Sequence, residues 1–356
     1  MLTELDDLLT HQTFETHDRV FIDDPRWTER FIIEVHDPEG GVEVHTGLGI
    51  YPNTNYMDGF ACVAAGGEQR NLRAGRTLNE DRWNLRTGPL RFEILEPMNR
   101  WRLSCEDAGY GFAFDLTFVG RTQPVQMAPD IVERDGFLLV HYTHFVQSGR
   151  YEGWVEVDGR RFDAAGWTGE RDRSWGVRPA SARVRNGLHV WLPMQWRDLS
   201  IWLTSREGPD GERLTLSGAI SPTAADGAAA GQPVPVADFG HDLDIDLVGH
   251  HRVLRGGELW VEGADGSRHE ITVERLGPML SVYGGGYGGP QAQGTPKGDG
   301  FLDGERWGTD PDSFAAVPHS ILEHTCRLTR NGDDVGDGCF ELCVGRYEPR
   351  GFGPVD

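Results

Sequence analysis

Apolar and polar residues alternate along most of the chain, in short runs that end at glycine, proline or aspartate. Such alternation predicts half-buried β-strands, and an Asp-Gly pair between two runs predicts a tight hairpin turn. Helical periodicity is fair only over LTELDDLLTHQ (2–12). Hairpins are predicted over residues 30–52, 151–167, 198–220, 257–276 and 323–347. Many short strands with turns at this spacing predict an all-β sandwich or barrel.

Two regions interrupt this pattern. Residues 221–240 are rich in alanine, glycine and proline, which predicts a mobile loop between strands. The glycine-rich stretch at 283–300 has no phosphate-loop spacing, so it is either a flexible loop or a lid over a pocket. PASARVRNG (179–187) is typical of a linker. The chain has 356 residues, which is enough for two units, and we predict β domains over residues 1–180 and 181–356.

Composition narrows the class of partner. The formal net charge is −22 and Lys297 is the only lysine, so the chain repels phosphate polymers and we expect no nucleic-acid partner. The five cysteines form no CxxC pair and their number is odd, so we expect buried thiols rather than disulfides or a metal site. No apolar run approaches the roughly 20 residues of a membrane helix. The acidic N-terminal stretch lacks a basic signal-peptide region, which predicts a cytoplasmic location.

The stretch GERDRSWGVR (169–178) is strongly charged and also carries a tryptophan. On a strand, alternation places Arg171, Arg173 and Trp175 on one face and Asp172 and Ser174 on the other. The glycines near both ends of the stretch indicate a bend at a domain junction. Two interpretations of Asp172 stay open. It either forms a structural ion pair with a neighbouring arginine, or exchanges a proton at the mouth of a cavity, where apolar surroundings would raise its pKa and arginines would lower it.

Histidines and tryptophans supply further candidates. In HYTHFVQSGR (141–150), His141 and His144 lie on opposite faces of a predicted strand, so we do not expect them to share a metal ion. His144 is suited to proton transfer near neutral pH. Trp191, Trp196 and Trp202 lie in adjacent predicted strands. They either fill a core or line a cavity for an extended apolar ligand, and indole faces would stabilise that ligand if it becomes cationic.

The segment at 144–178 resembles the carotenoid 1,2-hydratase (hydroxyneurosporene synthase) and AttH-like superfamily. The similarity is strongest at Gly169-x-Arg171-Asp172-x-Ser174-Trp175-Gly176-x-Arg178. The run Gln147–Arg150 also fits, and two further pieces, around residues 27–38 and 114–121, resemble a bacterial subgroup of this superfamily. Together these pieces cover most of the first half of the chain. The second half is similar only in the spacing of its predicted strands.

The resemblance implies two tandem lipocalin-like (calycin-type) antiparallel β domains, barrels or sandwiches, with an apolar cavity at or near their junction. It also implies acid-assisted chemistry without an organic cofactor. The expected enzyme is a hydratase or dehydratase (a hydro-lyase), or a cyclase (an isomerase), acting on a hydrophobic isoprenoid- or polyketide-like small molecule. The alternative is a non-catalytic carrier, because lipocalin-like cavities bind apolar ligands without chemistry.

The resemblance also assigns roles to residues. Asp172 matches the motif aspartate that acts in protonation, Trp175 matches the motif tryptophan, and His144 matches an upstream histidine, so these three are the predicted catalytic residues. The predicted substrate-binding residues are Trp191, Trp196, Trp202, His141, Tyr142 and Arg178. Glu170 departs from the pattern, since the hydratases carry an aromatic residue two positions before the aspartate. No metal ion and no cofactor are expected.

Overall fold

Strands make up most of the structure. The computed structural model describes residues 16, 20–79, 81–178, 184–224 and 227–355. Within these residues the only α-helix is the single turn α1 (Pro311–Phe314). The all-β prediction is therefore confirmed. The helix predicted over residues 2–12 and most of the linker predicted at 179–187 lie outside the described residues.

Fourteen strands form one open, curled, antiparallel sheet. They are β1 (Trp27–His36), β2 (Val42–Tyr51), β3 (Tyr56–Ala65), β4 (Glu68–Thr77), β5 (Arg86–Thr87), β6 (Leu90–Glu96), β7 (Arg100–Cys105), β8 (Phe112–Gly120), β9 (Val125–Gln126), β10 (Asp130–Arg134), β11 (Phe137–Val157), β12 (Arg160–Asp163), β13 (Thr168–Val177) and β20 (Phe301–Gly308). The order across the sheet is β20-β4-β3-β2-β1-β13-β11-β8-β7-β6-β5, and β9, β10 and β12 also pair with β11. Strand β20 comes from the second half of the chain and extends the edge of this sheet.

The other eight strands close into an antiparallel barrel. They are β14 (Leu188–Gln195), β15 (Leu199–Glu207), β16 (Arg213–Pro222), β17 (Val234–Val248), β18 (His251–Gly263), β19 (Arg268–Ser281), β21 (Leu322–Arg330) and β22 (Asp334–Val344), and β22 returns to pair with β14. Buried apolar side chains such as Leu192, Phe239 and Phe340 form its core. The barrel interior is therefore packed with side chains.

The hairpin turns lie where the sequence predicts them. Asp158 and Gly159 connect β11 to β12, and both have positive φ, as a tight two-residue turn between twisted strands requires. Gly266, with φ of 83°, serves the same purpose between β18 and β19. The loop predicted at 221–240 is shorter than expected, because β17 begins at Val234 and continues the barrel.

The centre of the open sheet has one apolar and one polar face. Side chains such as Val35, Val44 and Leu116 form the core on the apolar face. The polar face, here called the junction face, carries Arg30, Glu34, His36, Glu43, His45, Tyr142, His144, Glu170, Asp172 and Ser174. It packs against the outer wall of the barrel, since Thr325 of β21 donates a hydrogen bond to Glu43.

A buried ion pair fastens the open sheet to the barrel. In His36, Nδ1 lies 2.7 Å from Oε1 of Glu34 and Nε2 lies 3.0 Å from Oδ1 of Asp337 on β22. Burial opposes a charge on this imidazole, but the two carboxylates outweigh burial and raise the pKa of His36 well above its usual value. An apolar cluster with Phe60, Leu280 and Cys343 completes this contact.

Candidate active site

The stretch GERDRSWGVR forms most of β13, a continuous strand between β1 and β11. The bend inferred from its glycines is therefore wrong. Gly176 serves the close approach of two strands instead, since a Cβ there would lie 2.3 Å from the carbonyl oxygen of His141. The predicted alternation holds, and it separates Asp172 from the two arginines that flank it in sequence.

Arg171 belongs to the apolar side of β13. Its Cζ lies 5.4, 5.6 and 5.0 Å from the ring centroids of Trp101, Phe118 and Phe145. Its Nε donates a hydrogen bond to Oε1 of Gln147 at 2.8 Å. Burial lowers the pKa of Arg171 to about 10, so this guanidinium stays charged at neutral pH within an aromatic box. Its contacts are those of a structural cation.

Trp175 lies on the same side as Arg171. Its ring contacts Phe145 edge-on at 6.3 Å, and Cζ of Arg173 lies 5.7 Å from its centroid. Arg173 in turn donates a hydrogen bond to Glu29. The structure therefore does not bring Trp175 beside Asp172, although the two are close in sequence.

Asp172 and His144 form a pair on the junction face. Oδ1 of Asp172 lies 3.3 Å from Nδ1 of His144 on the neighbouring strand β11. The side chains are 15% and 10% exposed, so the pair is sheltered and not sealed. Within the described parts of the chain, no arginine nitrogen lies within 4 Å of the Asp172 carboxylate. The ion-pair interpretation with Arg171 or Arg178 therefore has no support in the structure.

Aromatic rings continue from this pair onto the barrel. The ring of His144 lies 5.2 Å from that of Tyr142 and 5.4 Å from that of Trp191 on β14. Trp191 contacts Trp202 of β15 edge-on, with ring centroids 4.8 Å apart. An acid–imidazole pair thus lies at the end of an aromatic surface, which is the environment in which a proton can be delivered to an apolar molecule.

Glu170 holds the Trp191 ring of this aromatic surface in place. Its Oε1 accepts a hydrogen bond from the indole Nε1 of Trp191. Burial raises the pKa of Glu170 well above its usual range, and repulsion from Glu34 and Asp172 adds to this, whereas the Trp191 hydrogen bond opposes it. The carboxyl that departs from the expected motif therefore holds a tryptophan in place.

Two arginines also belong to the junction face. Arg30 of β1 pairs in register with Ser174, and its Cζ lies 5.1 Å from the ring centroid of Tyr287. Cζ of Arg178 lies 5.0 Å from the ring centroid of Tyr142. Burial, followed by repulsion from Arg30, lowers the pKa of Arg178. The negative charge of Asp172 acts on both guanidinium groups.

A buried network lies behind the aromatic surface. Nδ1 of His45 lies 3.4 Å from Oε1 of Glu323, and Nε2 of His189 lies 3.1 Å from Oε1 of Glu341. Burial lowers the pKa of His45 to about 4, so His45 is neutral at physiological pH. Burial and the charge of Glu341 raise the pKa of Glu323 well above its usual range. These groups connect β2 to β14, β21 and β22.

The structure brings together six of the nine predicted site residues. These are Asp172, His144, Tyr142, Arg178, Trp191 and Trp202. Trp196 packs in the apolar core of the barrel instead. His141 is exposed and follows the alternation of Trp175 to the other face of the sheet.

Sequence reasoning missed Arg30 and Tyr287. Arg30 lies within the segment around residues 27–38 that resembles the superfamily. It shares one face of β1 with Glu34 and His36, as strand alternation predicts. Tyr287 lies in the glycine-rich stretch predicted as a loop or lid. Its neighbours Val282–Gly285 form a 3-10 turn that packs on β3 and β4. The loop is thus a wall of the site.

One group of side chains has the chemistry of metal ligands. Within the described residues, ligand atoms of Glu34, His36 and Cys339 lie within 4.8 Å of one another, and all three residues are buried. Both ring nitrogens of His36 already lie within hydrogen-bond distance of carboxylates, as described above. The geometry is therefore that of a buried ion pair. The five cysteines are free and buried, as predicted.

Comparison with known proteins places the chain in a family. A profile of DUF8625, a family of unknown function, matches residues 2–353. The chain belongs to this family. No curated protein matches the DUF8625 chain significantly in sequence. Within its described residues, no helix is long and apolar enough to cross a membrane.

Solved structures share the fold of this DUF8625 protein. An AttH-like protein from Nitrosomonas europaea has a TM-score of 0.56 and 13% identity, over 90% of this chain and 93% of that one. Kievitone hydratase from Nectria haematococca has a TM-score of 0.51 and 11% identity, over 89% and 88%. CghA with Sch210972 has a TM-score of 0.50 and 9% identity, over 90% and 89%. The chain therefore shares its fold with these three proteins, as the sequence resemblance implies.

Proposed function

We propose that the protein is an acid-assisted hydratase, dehydratase or cyclase that acts on a hydrophobic isoprenoid- or polyketide-like molecule where the open sheet meets the barrel. The Asp172–His144 pair carries this proposal. The pair is largely buried, and Oδ1 of Asp172 lies 3.3 Å from Nδ1 of His144. Within the described residues, no arginine forms an ion pair with the Asp172 carboxylate. Binding sites commonly lie at such junctions between structural units.

The structural neighbours support this class of chemistry. One of them is named a hydratase, and another is described with the compound Sch210972. Identities of 9 to 13% mean that these proteins share the fold alone with this chain. A fold hosts many activities, so the assignment depends on the geometry around Asp172.

In hydration, the Asp172–His144 pair transfers a proton to one carbon of a carbon–carbon double bond, which leaves a tertiary cation on the other carbon. Water adds to that cation, and the proton that the water loses returns to the pair. Dehydration is the reverse of these steps. In cyclisation, a second double bond of the substrate replaces the water, and a proton lost from carbon restores the pair. Every proton given is recovered, so the pair is regenerated in each case.

The aromatic surface would lower the energy of the cation. A desolvated indole face contributes on the order of 2 kcal/mol to the binding of a cation. Trp191 and Trp202 lie in contact on the barrel side, and Tyr142 lies on the sheet side. Because Glu170 fixes the Trp191 ring, this surface would also hold a flexible chain in a reactive conformation, which is where much of the rate advantage of a cyclisation arises.

The proposal is tested by incubating the purified protein with a panel of linear isoprenoids and polyenes and recording product masses and retention times. We expect gain or loss of one water, or an unchanged mass with a new retention time. Asp172→Asn should abolish product while the fold is retained. Asp244→Asn, which removes the same charge from an exposed position on β17, should not.

Two outcomes would overturn the catalytic proposal. Compounds that bind and are recovered unchanged throughout the panel would assign the protein as a carrier of apolar ligands. An Asp172→Asn variant that melts at a much lower temperature, with product per folded molecule unchanged, would assign Asp172 to the structure.

A further inference from the structure

Arg30 and Arg178 are two cations of the junction face without an ionic partner. Arg30 is 7% exposed and Arg178 is half-buried. Over the parts of the chain that the structure describes, neither guanidinium donates a hydrogen bond or lies within 4 Å of a carboxylate. Each instead lies against a tyrosine ring, Arg30 against Tyr287 and Arg178 against Tyr142. Other buried arginines of this chain donate hydrogen bonds, as Arg73 does to Asp303 and Glu305 and Arg121 does to Gln195.

Burial opposes the charge of both guanidinium groups, although Asp58 and Asp172, which form no ion pair with Arg30, favour its charge. A buried charge is normally paired and hydrogen-bonded, and arginine retains its charge under all physiological conditions. The two cations also repel each other, since the charge of Arg30 lowers the pKa of Arg178. An anion placed between them would remove both penalties.

Unpartnered donors surround the same place. Nη2 of Arg30 is buried and has no hydrogen-bond partner. The same holds for the hydroxyl of Ser174, which pairs with Arg30 in register across β1 and β13. A planar guanidinium fork binds a carboxylate through two parallel hydrogen bonds, and a hydroxyl adds a third donor. The donor set therefore matches a carboxylate.

We propose that Arg30 and Arg178 bind a carboxylate of the substrate. This inference rests on the proposed function and narrows its substrate class to an organic acid with an apolar chain. Asp172 lies two residues from Ser174 on the same face of β13, and His144 pairs in register with Ser174. The anchored carboxylate thus directs the apolar chain past Asp172 and His144 toward Trp191.

A matched pair of fluorescent probes tests this subsite. cis-Parinaric acid is a polyene carboxylate, and its methyl ester has the same chain without the charge. Titration of the full-length protein should give an affinity for the acid at least tenfold higher than for the ester. Arg30→Met and Arg178→Met should each reduce this preference to less than threefold. Arg268→Met, which removes an exposed arginine from the barrel, should leave it unchanged.

Thermal unfolding separates a ligand role from a structural one. Arg30→Met keeps the aliphatic stem on Tyr287. Burial opposes the charge that it removes, whereas Asp58 and Asp172 favour that charge, so its melting temperature should stay within a few degrees of that of the wild type. Arg30→Lys retains the charge without the fork and should show an intermediate preference. Equal affinity for acid and ester, or a tenfold preference that survives in Arg30→Met, would overturn the carboxylate subsite.

The binding assay does not depend on turnover. Equal affinities together with an active wild type and an inactive Asp172→Asn variant would overturn the subsite and leave the proposed function intact. A preference for the acid without conversion of any compound would overturn the proposed function and leave the subsite intact.

Discussion

Arg171 and Asp172 are consecutive in the chain, and their side chains lie on opposite faces of β13 with different surroundings. Arg171 stands among Trp101, Phe118 and Phe145, whereas Asp172 lies 3.3 Å from His144 at the barrel junction. Strand alternation therefore separates a structural cation from a candidate acid. Each can be altered without direct effect on the contacts of the other.

Arg171→Met should reduce stability and leave the chemistry in place. The substitution removes cation–π contacts with three rings and the hydrogen bond to Gln147, which together stabilise the fold by about 1–3 kcal/mol. Chemical denaturation measures this loss, and product formed per folded molecule should stay within about twofold of the wild type. Loss of turnover in a fully folded Arg171→Met protein would show that the contacts of Arg171 with the aromatic rings affect the active site.

His144→Gln should slow turnover without unfolding the protein. Glutamine can still hydrogen-bond to Asp172, but it cannot carry a proton, so kcat should fall by about 100-fold. A His144→Gln variant that turns over at the wild-type rate would remove His144 from proton transfer and leave it with a structural role on the junction face.

Trp191→Phe should cost more stability than Trp202→Phe. The two indoles contact each other, but only Nε1 of Trp191 has a hydrogen-bond acceptor, on the buried Glu170. Nε1 of Trp202 is buried without a partner. Loss of the donor to a buried acceptor costs about 1–3 kcal/mol, whereas Trp202→Phe removes an N–H that has no acceptor to lose. Comparison of the two unfolding free energies by denaturant titration checks this, and equal losses would speak against the Glu170 contact.

Glu43 should make stability depend on pH. Burial and repulsion from Glu34 raise the pKa of Glu43 from 4.5 to about 7. The folded state thus binds this proton more tightly than the unfolded state does. The contribution is fully present below pH 4.5 and is lost as pH rises to about 7, with a total of about 3 kcal/mol.

Glu43→Gln isolates this contribution, because glutamine is neutral at every pH and its side chain can still accept the hydrogen bond from Thr325. Relative to the variant, the wild type should lose about 3 kcal/mol of unfolding free energy between pH 4.5 and 7. The buried histidines His45 and His251 titrate identically in both proteins and cancel in the difference. Parallel stability curves would contradict the raised pKa of Glu43.

Local features of the fold could be predicted from the sequence. Alternation predicted the two faces of β13, and turn residues such as Asp158 and Gly159 predicted the hairpins. Strand faces and tight turns depend only on residues that are neighbours in sequence. The motif glycines were misleading. Gly176 suggests a bend, but it permits close contact between strands, which depends on a partner strand that is distant in sequence.

Which of the predicted residues belong to the site depends on packing between elements that are distant in sequence. Trp191 and Trp196 are five positions apart, so that an extended chain turns them to opposite sides of the barrel wall, and only Trp191 reaches the junction. Trp202 joins it because β15 pairs with β14 in a register that places Trp202 opposite Pro193. Arg30 and Tyr287 are more than 250 residues apart in sequence, and only the packing of a loop on the open sheet brings them together.

Proton transfer from the Asp172–His144 pair to carbon is tested most directly by turnover in D₂O, in the direction that consumes a carbon–carbon double bond. The product should carry one deuterium at a carbon that does not exchange with solvent, as read by mass spectrometry and NMR. Asp172→Asn should form no product, and Asp244→Asn should form the same labelled product as the wild type. Product without carbon-bound deuterium, or labelled product from Asp172→Asn at the wild-type rate, would contradict this mechanism.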